Sequence, residues 1–246
     1  MPPKTNKAGK KRATWTPPPG LDVDDVLREA LRDGKEGRYE EALGKHLWFH
    51  KHALERRRSL SGVRRSYALN GWVELGRKYP PALKTLLKVR GISERHVKLG
   101  REVWNNFHDV ESINDYLNDK TRTVALFKWL NAHDPEGALK VYNSVEELLF
   151  SVGEWELCNE FLKPERFDSI RRLYRINLRL AKDPKVGDDY DVFAVNRFTT
   201  CSLRLIRLLV LNGRHLEAKS VARKAVRVLK EASFKADIAE ALKVKT

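Results

Sequence analysis

From residue 22 onward, apolar side chains recur at steps of three and four, the spacing of one face of an α-helix. Val23, Val26, Leu27, Ala30 and Leu31 mark a first helix. Asp22 is its N-cap candidate, and Asp25 suits the positive end of the helix dipole. Gly37 breaks that pattern, and Tyr39, Ala42, Leu43, Ala53 and Leu54 supply the matching face of a second helix, which predicts a helical hairpin.

The same grammar returns further along. Tyr79 and Ala82, Trp155 and Cys158, and His215 and Ala218 each place a ring, then a small residue three positions on, just after a break. The ring is expected to wedge between helices while the small residue lets backbones approach. A copy without the leading ring keeps Ala125, Trp129 and Ala132 before Pro135. The small residues at 42, 82, 125, 158 and 218 stand at unequal steps, so the repeat is irregular in length. No run alternates with period two between turn residues, so strands are not expected. These patterns predict an all-α fold, an irregular α-solenoid of stacked hairpins over residues 21–246. Phe234, Ile238 and Leu242 would cover its last apolar face. Residues 1–20, MPPKTNKAGKKRATWTPPPG, have five cations, no acid and little to bury, and read as a disordered basic tail.

Gly37, Tyr39 and Ala42 reproduce the Gly-x-Tyr-x-x-Ala opening of a second repeat helix, and Gly213, His215, Ala218, Ala222 and Ala225 stand at matching positions in the last hairpin. On these residues the chain resembles tetratricopeptide repeats, and the run EEALGKHLWFHKHALE resembles a segment of uncharacterised bacterial proteins of that type. The resemblance implies a non-catalytic scaffold that binds a partner protein or peptide. Family members line their groove with the first helix of each repeat, which implies Arg64 and Tyr67 as exposed contacts on the second hairpin.

Charge sharpens this picture. The net charge is +15, but residues 1–100 carry 23 Lys and Arg against 11 Asp and Glu, residues 101–160 carry 5 against 12, and residues 161–246 carry 20 against 10. Two basic ends flank an acidic middle. The strongest functional signal is residues 169–182, where Arg171, Arg172, Arg175, Arg179 and Lys182 share one helical face, with Ile170, Leu173, Tyr174, Leu178 and Leu180 expected around the rest. Lys219, Arg223, Arg227 and Lys230 repeat the pattern opposite Ala218, Ala222, Ala225 and Leu229. Such faces either complement the acidic middle or meet an external anion. Nonspecific contact with nucleic-acid phosphates is the alternative to a protein partner. Aromatic residues that would stack bases are not interleaved with these cations.

His46 and His50 lie one turn apart on the core face of the second helix. A metalloprotease motif needs Glu beside the first histidine, and Leu47 stands there, so inter-helix hydrogen bonding is the expected role and no metal or other cofactor is implied. His52 is expected in solvent, and Trp48, on the polar side, under the next repeat or the tail. Trp72, Trp104, Trp129 and Trp155 are expected in the core. Cys158 and Cys201 are widely separated, which suits free thiols in a reducing compartment. With no apolar run near 18 residues, a soluble, cytoplasmic protein is expected, with no membrane partner. The sequence has no nucleophile elbow, phosphate loop or dinucleotide fingerprint. The neighbouring pairs Glu40-Glu41 and Glu146-Glu147 read as solvated helix faces. An enzyme is not expected.

Overall fold

The computed structural model describes residues 15–163, 165–187 and 189–244. In chain order the helices are α1 (Val23–Lys35), α2 (Tyr39–Arg56), α3 (Ser61–Arg65), α4 (Tyr67–Lys78), α5 (Pro80–Lys98), α6 (Val103–Tyr116) and α7 (Lys120–His133), with a 3-10 turn at Arg58–Leu60. Then follow α8 (Pro135–Ser151), α9 (Trp155–Asn159), α10 (Arg166–Leu180), α11 (Tyr190–Leu211), α12 (His215–Val228) and α13 (Ala232–Ala241). No strand occurs among the described residues, so the all-α expectation holds.

The chain forms two compact units, Met1–Val141 and Tyr142–Thr246. In the first, α1 packs on α2, α4 on α5, α5 on α6 and α6 on α7. In the second, α11 is the central rod, and α9, α10, α12 and α13 pack on it.

One turn chemistry recurs where the helices reverse. Gly37 adopts φ +82°, a left-handed conformation that a Cβ would strain, and Arg38 N–H then reaches back to Asp33 O at 2.9 Å. Glu154 N–H to Leu149 O and Arg214 N–H to Leu209 O repeat the bond at 2.9 and 2.8 Å. These closures satisfy carbonyls that a helix end leaves open.

The small residues that open the following helices do what their positions predict. Ala42, Ala82, Cys158 and Ala218 are fully buried. Tyr39 stacks on Tyr79 with ring centres 5.8 Å apart, and Trp72 Nε1 donates to Ala82 O at 3.1 Å. The ringless copy is a correction. Ala125 and Ala132 are exposed, and α7 turns Thr123, Leu126, Phe127 and Leu130 inward instead. The buried small residue there is Ala138, three positions after Pro135.

Trp48 meets the tail. Trp15 packs edge-on against it at 6.2 Å, and a Cβ added to Gly44 would lie 2.7 Å from Trp15 Cβ. Residues 15–20, placed in the tail by composition, therefore include a packed tryptophan, while residues 1–14, with their Lys10-Lys11-Arg12 cluster, lie outside the described residues. Phe234 and Ile238 of α13 are buried, with Phe234 5.9 Å from Phe198 of α11. Of the tryptophans expected in the core, Trp72 is buried and Trp129 and Trp155 are half-buried. Trp104 is 47% exposed, and its ring meets the side chains of Arg65, at 4.9 Å, and His108, at 4.2 Å, where a neighbouring helix was expected.

Candidate functional site

The excess of Lys and Arg separates into two populations once burial is known. The first is internal. Asp33 is buried on α1 and accepts from Lys45 Nζ at 2.6 Å and Arg38 Nε at 3.1 Å. Burial raises its carboxyl pKa, but the hydrogen bonds from Lys45 and Arg38 outweigh that and leave it below the usual carboxylate range. Asp109, buried on α6, is held by Arg64 and, at 3.3 Å, by Arg65, both from the end of α3. In the second unit, Glu146 of α8 takes Arg166 at 2.8 Å and Arg204 at 3.7 Å, and Arg204 also reaches Glu147 at 2.8 Å. Each clamp ties a buried acid to cations from beyond its own helix. Losing one member of such a pair costs about 3–5 kcal/mol, because the remaining charge stays out of water.

Arg64 is therefore a correction to the groove reading. It is 5% exposed and belongs to a clamp, whereas Tyr67, the first residue of α4, is 62% exposed. Arg64 Nη1 also donates to His50 Nε2 at 2.9 Å and to the His50 carbonyl at 3.1 Å, so His50 bonds to another helix. His46 differs from that expectation and lies flat against Trp72, ring centres 6.0 Å apart. Burial lowers the pKa of both imidazoles to about 4, with Arg64 adding repulsion at His50 against the attraction of Asp109. Both are neutral near pH 7. His52 is half-buried and meets Glu55 at 2.8 Å. No group of three His, Cys, Asp or Glu among the described residues could hold a metal ion, and no helix among them is long and apolar enough to cross a membrane.

The second population faces outward. Arg172, Arg175, Arg179 and Lys182 are exposed on and just after α10, and none holds an ion pair among the described residues. Arg171 is half-buried and pairs with Asp168 of its own helix at 2.9 Å. Arg223 and Arg227, with Lys219 and Lys230, are exposed along and just past α12. The acidic pair Glu146 and Glu147 is occupied by Arg166 and Arg204, so α10's exposed row is not what answers it.

The apolar side of α10 also differs from the periodicity reading. Leu173 and Leu180, expected inside, are 38% and 43% exposed, and Ile176 is 44% exposed. Only one stripe faces α11, where Phe167 and Tyr174 meet Phe198 at 6.3 and 4.6 Å. Leu173, Ile176 and Leu180, at i, i+3 and i+7, form a second stripe between the buried one and the arginines.

Alongside runs a cleft of about 870 Å³ walled by α8, α10 and α11. Ile170, Leu173, Tyr174, Phe193 and Phe198 line its apolar side, and Asn143, Arg166, Arg197 and Arg204 its polar side. Phe193 is 44% exposed, and its neighbour Val192 53%.

No family model, curated protein or solved structure matches this chain.

The candidate residues thus divide. Arg64 and Tyr67 belong to the first unit and line different hollows, and the α10 and α12 cations belong to the second. Arg172, Arg175, Arg179 and Lys182 accompany an exposed apolar stripe. Cys201 also lines the 870 Å³ cleft, but burial pushes its thiol pKa up, away from the nucleophilic thiolate. Sequence reasoning missed Ile176 and Phe193 as surface residues. Ile176 was legible in principle, since α10 has more apolar positions than one stripe can hold.

Proposed function

We propose that the chain is a non-catalytic protein-interaction scaffold, an irregular tetratricopeptide-like α-solenoid of stacked helical hairpins that docks a partner segment on the outer face of α10 and the start of α11. The packing of α1 to α7 on sequence neighbours and the buried small residue after the recurring turns support the solenoid reading. One observation carries the docking reading: the exposed stripe Leu173, Ile176 and Leu180 lies between a cleft and a row of cations that no acid among the described residues answers.

The occupant this face fits is an amphipathic protein segment whose apolar seam is bordered by Asp or Glu. Its apolar side chains would cover Leu173, Ile176 and Phe193, and its acids would meet Arg172, Arg175 and Arg179. Each of those three apolar side chains is about two-fifths exposed, so covering it contributes roughly 1 kcal/mol, and charge must supply much of the remainder. A nucleic acid would satisfy the arginines but leave the leucine and isoleucine in water.

The test uses the full chain and a fluorescein-labelled helical peptide with a leucine seam and glutamate flanks, followed by anisotropy. Saturable binding that Arg172→Glu, Arg175→Glu and Arg179→Glu together reduce at least tenfold supports the proposal. Equal or tighter binding of a duplex oligonucleotide, with affinity falling about as steeply as one power of salt per phosphate engaged, would replace it with the nucleic-acid reading.

A further inference from the structure

The first unit contains a second hollow unrelated to the docking face. About 920 Å³ in volume, it opens between α2, α3, α5 and α6. Leu47, Leu54, Val89, Ile92 and Trp104 supply apolar walls, and Ile92 and Trp104 are 52% and 47% exposed at its mouth. Arg65, lying 4.9 Å over Trp104, holds that indole in place.

The base is polar and already ordered. Ser93, His50, Arg64 and Asp109 line it, and Ser93 is 5% exposed with no hydrogen bond from its side chain among the described residues. Arg65 is braced by Ser61 Oγ at 3.1 Å and Asn105 Oδ1 at 3.3 Å. Two guanidinium groups, Arg64 on the lining and Arg65 behind it, share the single carboxylate of Asp109, and His50 beside them is neutral. At the rim, Lys51 and Arg58 are exposed and hold no ion pair among the described residues. The rim also carries two acids, Glu55, which meets His52 at 2.8 Å, and Glu102, which meets Asn105 at 3.5 Å.

Apolar walls, a few fixed polar groups at depth and a volume within the usual range of about 300–1,000 Å³ are the attributes of a small-molecule site. We infer that this cleft binds a small organic anion with an apolar body, which lies between Val89, Ile92 and Trp104 with its charged group toward Lys51, Arg58 and the guanidinium base. The hollow lies wholly within the first unit, so the inference stands independently of the docking face.

The probe is 8-anilinonaphthalene-1-sulfonate added to the full chain, with decanoate as competitor. The expected result is a saturable fluorescence gain at one dye per chain, displaced by decanoate. It should persist when Leu173 and Phe193 are replaced by serine, which separates this site from the docking face. Lys51→Glu with Arg58→Glu, both at exposed positions, should weaken the dye at least tenfold with the urea midpoint unchanged. Ser93→Phe, which fills the base, should abolish saturable binding. The absence of saturable binding by the native chain would overturn the inference. So would rim variants that bind the dye as the native chain does, or a rim-reversed chain that loses the uncharged analogue N-phenyl-1-naphthylamine as steeply as it loses the sulfonate.

Discussion

Replacing Asp109 by alanine removes the one carboxylate that Arg64 and Arg65 share. Arg65 is near enough to the surface to recover water, with 13% of its side chain exposed. Arg64, at 5%, is not, and it stays bonded to the His50 carbonyl with a buried, unanswered charge. Stranding one member of a buried pair costs about 3–5 kcal/mol. With a urea slope of about 2 kcal/mol per M, the unfolding midpoint of the first unit should fall by about 1.5–2.5 M. Far-UV circular dichroism during a urea titration reads this directly. Combining Asp109→Leu with Arg64→Met should recover most of the loss, since an apolar replacement of both partners leaves no stranded charge. A shift below about 0.5 M for Asp109→Ala would refute the reasoning, because the clamp would then be solvated in solution.

Acidification should destabilise the fold well above the range where most carboxylates titrate. His46 and His50 have folded pKa values of about 4 against 6.5 when free, so between those values the unfolded chain binds protons that the native chain refuses. Stability is then full above about pH 6.5 and declines as pH falls toward 4, by roughly 3 kcal/mol per histidine; His50→Gln should remove about half of that slope in urea midpoints measured across the range. Gly76→Ala should destabilise by about 1–3 kcal/mol in the same titration, because a Cβ there meets the Leu83 backbone nitrogen and Cα at 3.2 Å, where no side chain can swing aside. Gly44→Ala should unseat Trp15, read as a red shift in tryptophan emission with helix content unchanged, since the new methyl would lie 2.7 Å from Trp15 Cβ. Arg172→Glu, Arg175→Glu and Arg179→Glu should leave the unfolding free energy from a urea titration within about 0.5 kcal/mol of the native value, whereas Arg166→Ala should cost about 3–5 kcal/mol, because of these four arginines Arg166 alone answers a buried acid.

The helices and their reversals were legible because each depends on local chemistry. Gly37, Gly153 and Gly213 mark turns that require positive φ, and Ala42, Ala82 and Ala218 sit where only a small side chain fits. Trp48 was expected under either the next repeat or the tail, because an aromatic ring on a polar face needs cover, and of the two it is Trp15 that supplies it. What sequence spacing could not decide is which of two apolar stripes on one helix meets a neighbour. On α10, Phe167 and Tyr174 meet Phe198, so Leu173 and Leu180 are left outside. Ala125 was placed inside for the same reason and is exposed, since α7 turns Leu126 and Leu130 inward. Arg64 was unreadable for another cause: its partner Asp109 lies 45 residues away, and no local pattern announces such a pairing.

The central claim is that the outward arginines of α10 act together with the apolar stripe beside them. Replacing Leu173, Ile176 and Phe193 by serine, with every cation left in place, isolates the apolar half. Anisotropy of the glutamate-flanked helical peptide should then show at least tenfold weaker binding at 150 mM salt; affinity equal to that of the native chain would mean that charge alone holds the partner and would contradict the account.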